Sequence, residues 1–427
     1  MIDTEKDNRK LVERAILIGF QDNQINIDEA TEHIDELEEL VNGIDVPVID
    51  KTIVKLREVQ PKYVMGSGKA NEINELIKEL KADCIVFDCD LTPAQQRNWE
   101  KLTKICVIDR PEVILDIFAN RATTREAVIQ VQLARLEYSL PRLTRAWTHL
   151  SRQRGGAKGS KGEGEQQIEI DRRLVKARIS TLKKELKVVQ RQRDTQRKNR
   201  NRTGIPHAAI VGYTNAGKST LLNLLTGSEV LAKDKLFATL DPTTRQIVLP
   251  NKQKMIITDT VGFVRKLPHN LVEAFKSTLE ESTLADFLIL LLDISSCQVE
   301  QHWETTLAVL DELNAKDKKM IVVFNKVDKQ KDETIISRMK IQHQDCIFIS
   351  AKNKIGIDEL LQKIMLFAKQ ASEILSYSIP PSRYDLITLA YKVANVLNTE
   401  YDDDGNTLLT LNIQEQHQSN FVEYLLD

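Results

Sequence analysis

The sequence lacks any apolar run long enough to cross a bilayer. Its longest purely apolar stretch near the middle, "FLILLL" at 287–292, ends at Asp293, whereas a membrane-spanning helix needs about 20 apolar residues. The first residues, "MIDTEKDNRKLVER", carry charges of both signs and contain no apolar signal core. We therefore expect a cytoplasmic protein without a membrane span.

Cysteine is scarce as well. The chain has five cysteines in 427 residues, and no two of them have C-x-x-C spacing. This usage favours reduced thiols in a cytosol.

The length allows two or three domains, each with its own core.

Net charge is nearly absent, at −2, but this balance hides an asymmetry. Between Arg172 and Arg202 there are 13 Lys or Arg residues against two acidic ones, a net charge of +11, so the rest of the chain carries −13. Opposite charges at helical spacing are mostly missing from this segment, which argues against an ordinary solvated helix face. The segment therefore predicts a polyanionic partner.

The sequence does contain a phosphate-binding loop. The run "HAAIVG" predicts a strand and "KSTLLNLLTG" a helix, and the loop between them matches G-x-x-x-x-G-K-[ST]. The glycines let backbone N–H groups surround the β-phosphate. Lys218 is predicted to reach the β- and γ-phosphate oxygens, and the Ser219 hydroxyl to bind Mg²⁺. The predicted nucleotide-binding residues of this loop are Gly212, Tyr213, Thr214, Asn215, Ala216, Gly217, Lys218, Ser219 and Thr220.

A second strand, "KMIITDTVGF", ends in a D-x-x-G motif. An aspartate at this position can hold Mg²⁺ through water, and the glycine N–H can bind the γ-phosphate. The predicted residues are Asp259, Thr260, Val261 and Gly262. Taken alone, D-x-x-G is also typical of an ordinary turn.

Two more strands end in "NKVD" and "SAK". Asp328 can accept hydrogen bonds from the ring N–H and the 2-amino group of guanine, and adenine offers neither, so an unpaired carboxylate rejects the wrong base. The Ala351 N–H can donate to the 6-oxo group, and Lys326 and Lys352 can lie along the two faces of the base. The predicted base site comprises Asn325, Lys326, Val327, Asp328, Ser350, Ala351 and Lys352.

These motifs stand in one order, each at the carboxyl end of a strand, where an open α/β sheet binds ligands. Residues 205–370 thus resemble the guanine-nucleotide-binding proteins of the P-loop class. The resemblance implies a first switch in "DKLFATLDPTTRQIVLP", whose threonine closes on Mg²⁺. Thr239, Thr243 and Thr244 are candidates, and "FATLD" aligns best with translation-factor-like switches, which favours Thr239. The predicted switch residues are Phe237, Ala238, Thr239, Leu240 and Asp241; the predicted catalytic residues are Lys218, Thr239 and Gly262, and the predicted metal ligands are Ser219 and Thr239.

Phe263 occupies the position where Ras-like GTPases have a glutamine that orients water. A phenyl ring cannot do this, so hydrolysis must be promoted by backbone groups, a partner or a bound cation. In related GTPases an asparagine at the position of Asn215 helps to hold a potassium ion at the phosphates. The alternative is that Asn215 only caps the loop.

The first 110 residues alternate strand and helix and predict a smaller α/β domain. "GSGK" at 66–69 has phosphate-binding character, but a strand-to-helix turn also explains it. Residues 112–150 predict one long helix with a kink at Pro141, and residues 169–202 predict another. In the second, Val175, Ile179, Leu182, Leu186 and Val189 recur at coiled-coil spacing. The two helices predict an antiparallel hairpin whose tip, residues 155–164, is glycine-rich and basic.

Several segments are similar to HflX-type ribosome-associated GTPases: "FDCDLTPAQQRNWE", "VIDRPEVILDIFANRA", "REAVIQVQLARLEYSLPRL", "IEIDRR" and "AIVGYTNAGKSTLLN". The similarity extends to about residue 370. The family's tip pattern is GG-x-G-x-x-G-x-G-E, whereas "GGAKGSKGEGE" is one residue longer and contains Lys158 and Glu163. Loop-tip contacts therefore carry over only loosely.

The resemblance implies an α/β protein with four domains: residues 1–110, a helical hairpin at 111–203, a GTPase domain at 204–370 and a small α/β domain at 371–427. It implies a monomer that binds the large ribosomal subunit and its RNA, separates stalled or vacant ribosomes and hydrolyses GTP to GDP when ribosomes stimulate it. Two alternatives stay open: a GTP-dependent regulatory switch for a protein partner, and an RNA-remodelling NTPase with a second nucleotide site at residues 66–69.

Overall fold

The computed structural model describes residues 12–23, 25–143, 161–201, 205–227, 237, 240–265, 281–330, 332–371, 373–402, 405–413 and 415–426. Its contacts divide the chain into two compact units. The first comprises Met1–Ala122, Val128–Leu182 and Lys266–Leu271, and the second comprises Thr123–Ala127, Lys183–Arg265 and Val272–Asp427. No helix in the described part of the chain is long and apolar enough to cross a membrane.

The first unit contains a four-stranded parallel sheet in the order β2-β1-β3-β4. Its strands are β1 (Ala15–Gln21), β2 (Val48–Lys55), β3 (Cys84–Phe87) and β4 (Cys106–Asp109). The helices between and after them are α1 (Ile27–Asn42), α2 (Ser67–Glu79), α3 (Pro93–Thr103) and α4 (Arg110–Arg121). Apolar residues of the strands and of α2 and α3 form one core around Trp99. The predicted α/β domain is thus present, and residues 66–69 form the turn into α2.

Buried charges gather at the carboxyl ends of β3 and β4. The fully buried Arg110 donates to Asp88 over 2.6 Å and to Glu36 over 2.7 Å. The neighbouring Asp109 accepts from the Tyr138 hydroxyl over 2.6 Å. Burial raises the pKa of Asp109, and its hydrogen bonds oppose that shift. These contacts tie helix α5 (Arg125–Ser139) to the edge of the sheet within one unit.

The single helix predicted over residues 112–150 is wrong. Helix α4 ends at Arg121, Ala122 has an extended backbone, and α5 begins at Arg125. The Thr124 hydroxyl accepts from the Ala127 N–H at the start of α5. Threonine with an acidic residue shortly after it is a helix-start signal, so the break between α4 and α5 was readable in "TTREA".

Helix α6 (Lys161–Asn201) is longer at its start than the predicted helix at 169–202, and it includes part of the predicted glycine-rich tip. The side chains of its predicted seam are half-buried, and Leu182 is buried; this burial fits the predicted spacing, and the coiled-coil pairing itself stays a prediction. Residues 144–160, which include most of the predicted tip, lie outside the described residues.

The second unit contains a six-stranded sheet in the order β10-β9-β8-β5-β7-β6, in which only the β6–β7 pair is antiparallel. Its strands are β5 (His207–Gly212), β6 (Thr243–Val248), β7 (Lys254–Asp259), β8 (Phe287–Asp293), β9 (Met320–Asn325) and β10 (Ile347–Phe348). Its helices are α7 (Lys218–Thr226), α8 (Val299–Glu312), α9 (Glu333–Gln342) and α10 (Ile357–Ala371). Every predicted nucleotide motif except the switch follows the carboxyl end of one of the parallel strands.

A three-stranded antiparallel sheet in the order β11-β13-β12 follows. It comprises β11 (Glu373–Ile379), helix α11 (Tyr384–Val393), β12 (Asn395–Tyr401) and β13 (Thr407–Ile413), and a short helix α12 (Glu415–Gln418) comes after it. The sequence "YSIPPSRYDLITLAYKVANVLNTEYDDDGNTLLTLNIQ" predicts a strand, a helix, an Asp-Gly turn and a strand. This prediction missed β12, which lies just before the Asp-Gly turn. The small α/β C-terminal domain is present.

Candidate functional site

The phosphate loop has a backbone that only glycine allows at two positions. Gly212 has φ of +150°, and a Cβ there would lie 2.1 Å from the Leu291 carbonyl oxygen. Gly217 has φ of +97°, and its Cβ would lie 2.4 Å from Asn325 Nδ2. Asn215 also has a left-handed backbone, at φ +59°, which asparagine tolerates better than most residues. The loop therefore keeps the shape that phosphate binding requires.

Lys218 begins helix α7 and is buried inside the loop. Its Nζ donates to the Tyr213 carbonyl oxygen over 2.7 Å and to that of Gly212 over 3.2 Å. Burial lowers the pKa of Lys218 to about 8, and the nearby Asp259 opposes this shift. The amine thus lies among the backbone groups that would surround a phosphate.

Ser219 and Asp259 come together as predicted. The Ser219 hydroxyl donates to Asp259 Oδ2 over 2.7 Å, and Asp259 is almost fully buried. A hydroxyl and a carboxylate beside a phosphate loop are the hard oxygen donors that Mg²⁺ prefers. This donor set fits the predicted metal, with Ser219 as a direct ligand and Asp259 acting through water.

The D-x-x-G segment lies directly against the phosphate loop. Gly262 approaches so closely that a Cβ there would lie 2.7 Å from Thr214 Cα and 2.8 Å from Lys218 Nζ. The following Phe263 is paired with the loop like a strand: its N–H donates to the Gly212 carbonyl oxygen over 3.1 Å, and its carbonyl accepts from the Thr214 N–H over 2.7 Å. The Phe263 ring is buried, so this side chain cannot position a water molecule.

Asn325 joins the phosphate loop to the base site. Its Nδ2 donates to the Ala216 carbonyl oxygen over 2.8 Å, and its Oδ1 accepts from the Ala351 N–H over 3.0 Å. That N–H is the predicted donor to the guanine 6-oxo group, and here it is engaged by Asn325. Its contact with guanine stays a prediction.

Asp328 and Lys326 of the predicted base site are held by neighbouring side chains. Asp328 is exposed and accepts from the Ser350 hydroxyl, which keeps the pKa of Asp328 below its usual range. Lys326 is paired with Asp293 over 2.7 Å. Asp293 was missed at the level of sequence, although an aspartate directly after "FLILLL" marks a strand end on the ligand-binding side.

The switch segment is described only in part. Ala238 and Thr239 lie outside the described residues, so the predicted Mg²⁺ contact of Thr239 stays a prediction. Phe237 and Leu240 are buried, and their contacts with the nucleotide stay predictions. Of the other threonines, Thr244 shares a 2.9 Å hydrogen bond with Thr258 inside the sheet.

Asp241 makes a contact with a distant segment. Its carboxylate accepts from the N–H and hydroxyl groups of both Thr123 and Thr124, which belong to the same unit. These bonds engage both oxygens and hold the start of α5, and the nucleotide contact of Asp241 stays a prediction. Sequence spacing gave no sign of this contact, since about 117 residues separate the partners.

Tyr213 connects the phosphate loop with two other elements. Its ring stacks on His302 of α8, with centroids 3.8 Å apart, and its hydroxyl accepts from the Arg265 N–H over 2.8 Å. The loop, the D-x-x-G segment and α8 are thereby coupled around one side chain.

Three family models match the chain. Residues 31–119 match the GTP-binding GTPase N-terminal family, residues 121–200 match the GTP-binding GTPase middle region, and residues 207–326 match the 50S ribosome-binding GTPase family.

Curated relatives match nearly the whole length. A GTPase HflX of Akkermansia muciniphila is 49% identical over 414 residues, covering 94% of this chain and 95% of the relative. A GTPase HflX of Escherichia coli is 39% identical over 400 residues, covering 93% of this chain and 92% of the relative. Among solved structures, a GTP-binding protein from the archaeon Sulfolobus solfataricus in complex with GDP is 25% identical with a TM-score of 0.43, covering 84% of this chain and 99% of that one.

Proposed function

This chain belongs to the HflX family of GTPases, and on that premise we propose that it binds the large ribosomal subunit and separates stalled or vacant ribosomes into subunits. The enzyme hydrolyses GTP to GDP and phosphate. The observation that carries the ribosomal part is the match of residues 207–326 to the 50S ribosome-binding GTPase family. The +11 segment between Arg172 and Arg202 supports a partner rich in phosphate.

The chemistry follows from the site. Lys218 and the loop N–H groups bind the β- and γ-phosphates, and Gly262 offers its N–H to the γ-phosphate. Ser219 and Thr239 would hold Mg²⁺ directly and Asp259 through water; the ion supplies neutralisation of the charge that develops on the phosphate oxygens. Asp328 selects guanine, because it accepts from both donors on that side of the base.

Binding of GTP is expected to close the switch and thereby to set the orientation of the basic hairpin, while hydrolysis releases it. The ribosome-separating step is tested by sedimentation. Purified intact ribosomes incubated with the protein and GTP should shift toward free subunits in a sucrose gradient. Ribosomes that stay intact while the protein co-sediments with them would favour a regulatory switch instead.

Ribosome-stimulated turnover is the first expected result. Because the Phe263 ring is buried and no glutamine takes its place, the isolated protein should hydrolyse GTP slowly. Purified large subunits should accelerate turnover by at least about tenfold, since a partner must supply the missing stabilisation. Phosphate release is measured with large subunits, with small subunits as the control. Fast turnover by the protein alone would contradict this expectation.

Potassium dependence is the second expected result. We propose that the Asn215 side chain helps to hold K⁺ beside the phosphates. Asn215→Gly is the matched variant, because glycine accepts the left-handed backbone and removes only the side chain. Turnover of the parent should be faster in K⁺ than in Na⁺, and Asn215→Gly should bring the two rates together. Equal rates in the parent would leave Asn215 with a purely conformational role.

The third expected result concerns the hairpin tip, which we propose as the main RNA-binding element. Each phosphate contact contributes roughly −0.7 to −0.9 to the slope of log binding constant against log salt. Replacing four cations in or directly before the tip with alanine should therefore weaken ribosome binding and flatten this slope by about three, without changing GTP affinity. The four residues are Arg152, Arg154, Lys158 and Lys161.

A charge-matched control removes four exposed cations elsewhere: Lys101, Lys316, Lys340 and Lys369. The control should keep the parent's salt slope. If the tip variant and the control bind ribosomes with the same affinity and the same salt slope, the tip is only a connection between two helices.

A further inference from the structure

The C-terminal domain exposes large side chains on one side. On α11, Tyr384 and Tyr391 are seven residues apart and so share a helix face; they are 70% and 58% exposed. On β12, Tyr401 is 75% and Leu397 50% exposed. The Tyr391 hydroxyl lies 3.2 Å from Thr399 Oγ1, two residues before Tyr401, which joins the helix face to the strand. We call Tyr384, Tyr391, Leu397 and Tyr401 the tyrosine surface.

The domain that carries this surface is strongly acidic. Residues 373–427 contain nine acidic residues but only two basic ones, Arg383 and Lys392. Arg383 is paired with Asp385 inside the domain. A partner of the tyrosine surface therefore meets a domain whose net charge is −7.

We propose that the tyrosine surface docks on a basic protein of the large ribosomal subunit rather than on RNA. Exposed tyrosines are typical anchors of protein interfaces, because they bury a large area and lose little conformational entropy. RNA-binding surfaces also use aromatic rings, but they combine them with cations that neutralise phosphates. Here the net charge has the opposite sign, which repels RNA and attracts a basic protein. The inference rests on the proposed ribosomal function.

Photo-crosslinking tests the class of partner. Tyr391→p-benzoylphenylalanine is incubated with purified large subunits and a non-hydrolysable GTP analogue, irradiated, and digested separately with ribonuclease and protease. The expected product is a cross-link to a protein that survives ribonuclease. A cross-link to RNA alone, or none from a variant that co-sediments with the subunit, would overturn the proposal.

Ile374 provides the matched control position. It is 55% exposed on β11, next to Leu375 of the domain core, and so it faces the other side of the sheet. Ile374→p-benzoylphenylalanine should give no such protein cross-link. Equal cross-linking from both positions would show that the tyrosine surface is not the docking side.

Truncation of the tyrosines gives an independent readout. Alanine at Tyr384, Tyr391 and Tyr401 together should weaken binding to the large subunit by about tenfold or more, whereas Ile374→Ala should not. Unchanged binding by the triple variant would refute the proposal.

Failure of the proposed function is distinguishable from failure of this inference. If the parent protein itself does not co-sediment with large subunits, the ribosomal function and this partner are both wrong. If the parent binds and the variants behave like it, only the docking surface is wrong.

Discussion

Asp328→Asn should turn the guanine-selective site into one that prefers xanthine nucleotides. The ratio of the affinity for XDP to the affinity for GDP should rise by about a thousandfold. The Asp328 carboxylate is ionised at neutral pH, as an ordinary aspartate is, and the Ser350 hydroxyl lowers its pKa further. It can accept from both guanine donors, whereas an amide accepts from one and presents its NH₂ to the other. Charged hydrogen bonds are worth about 1.5–3 kcal/mol each, and an unpaired donor adds its own cost. Xanthine restores the match, because its 2-oxo group accepts from the amide.

Affinities for GDP, XDP and ADP measured on both proteins check this expectation. Asp332→Asn is the matched control: Asp332 caps α9 through the Thr334 N–H, asparagine caps equally well, and the same charge is lost four residues away. This control should keep the parent's guanine preference. Tight ADP binding at this site by the parent, or an Asp328→Asn protein that still prefers GDP, would contradict the assignment of the base site.

Arg110→Met should destabilise the first unit by about 3–5 kcal/mol. Arg110 is completely buried and paired with Asp88, which is 2% exposed, and with Glu36. Methionine preserves most of the volume but leaves two carboxylates without their cation, one of them deeply buried. Breaking a buried pair by removing one partner costs this much because the remaining charge is not solvated.

Because the chain has several domains, a single unfolding transition is not a suitable measure. Hydrogen exchange of the β3 and β4 amides reports the opening of this sheet directly. Arg135→Met is the control, since Arg135 pairs with Asp116 at an exposed position in the same unit. Exposed ion pairs contribute at most about 1 kcal/mol to the free energy of unfolding, so Arg135→Met should change the exchange of these amides little. Similar exchange in the two variants would show that the Arg110 cluster does not hold the sheet together.

The nucleotide motifs were predictable from the sequence because each is local. A strand, a glycine-rich turn and a helix follow one another within about 20 residues in "HAAIVGYTNAGKSTLLNLLTG", and their apolar spacing specifies each element. The order of the motifs along parallel strands then predicted that they meet at one edge of the sheet. The structure confirms that Ser219 and Asp259 lie together there, as do Asn325 and Ala351.

The errors occurred where a distant residue decides local structure. "RATTREA" contains no glycine or proline, and its one local sign of a break, the threonine helix-start signal, is weaker than the helical propensity around it. The start of α5 is held by Asp241, whose carboxylate accepts from Thr123 and Thr124. Strand β12 was missed for a similar reason, because its pairing with β13 needs residues from beyond the turn.

The sequence by itself determined the family and predicted the selected base and the residues that meet the phosphates, since these depend on residue type and short spacing. Only the tertiary structure decided that Asn325 joins the phosphate loop to the base site, that Asp241 holds α5, and that Arg110 is buried between two carboxylates. The physical reason is that a hydrogen bond or ion pair between distant segments depends on how the chain folds back, and no local period or propensity contains that information.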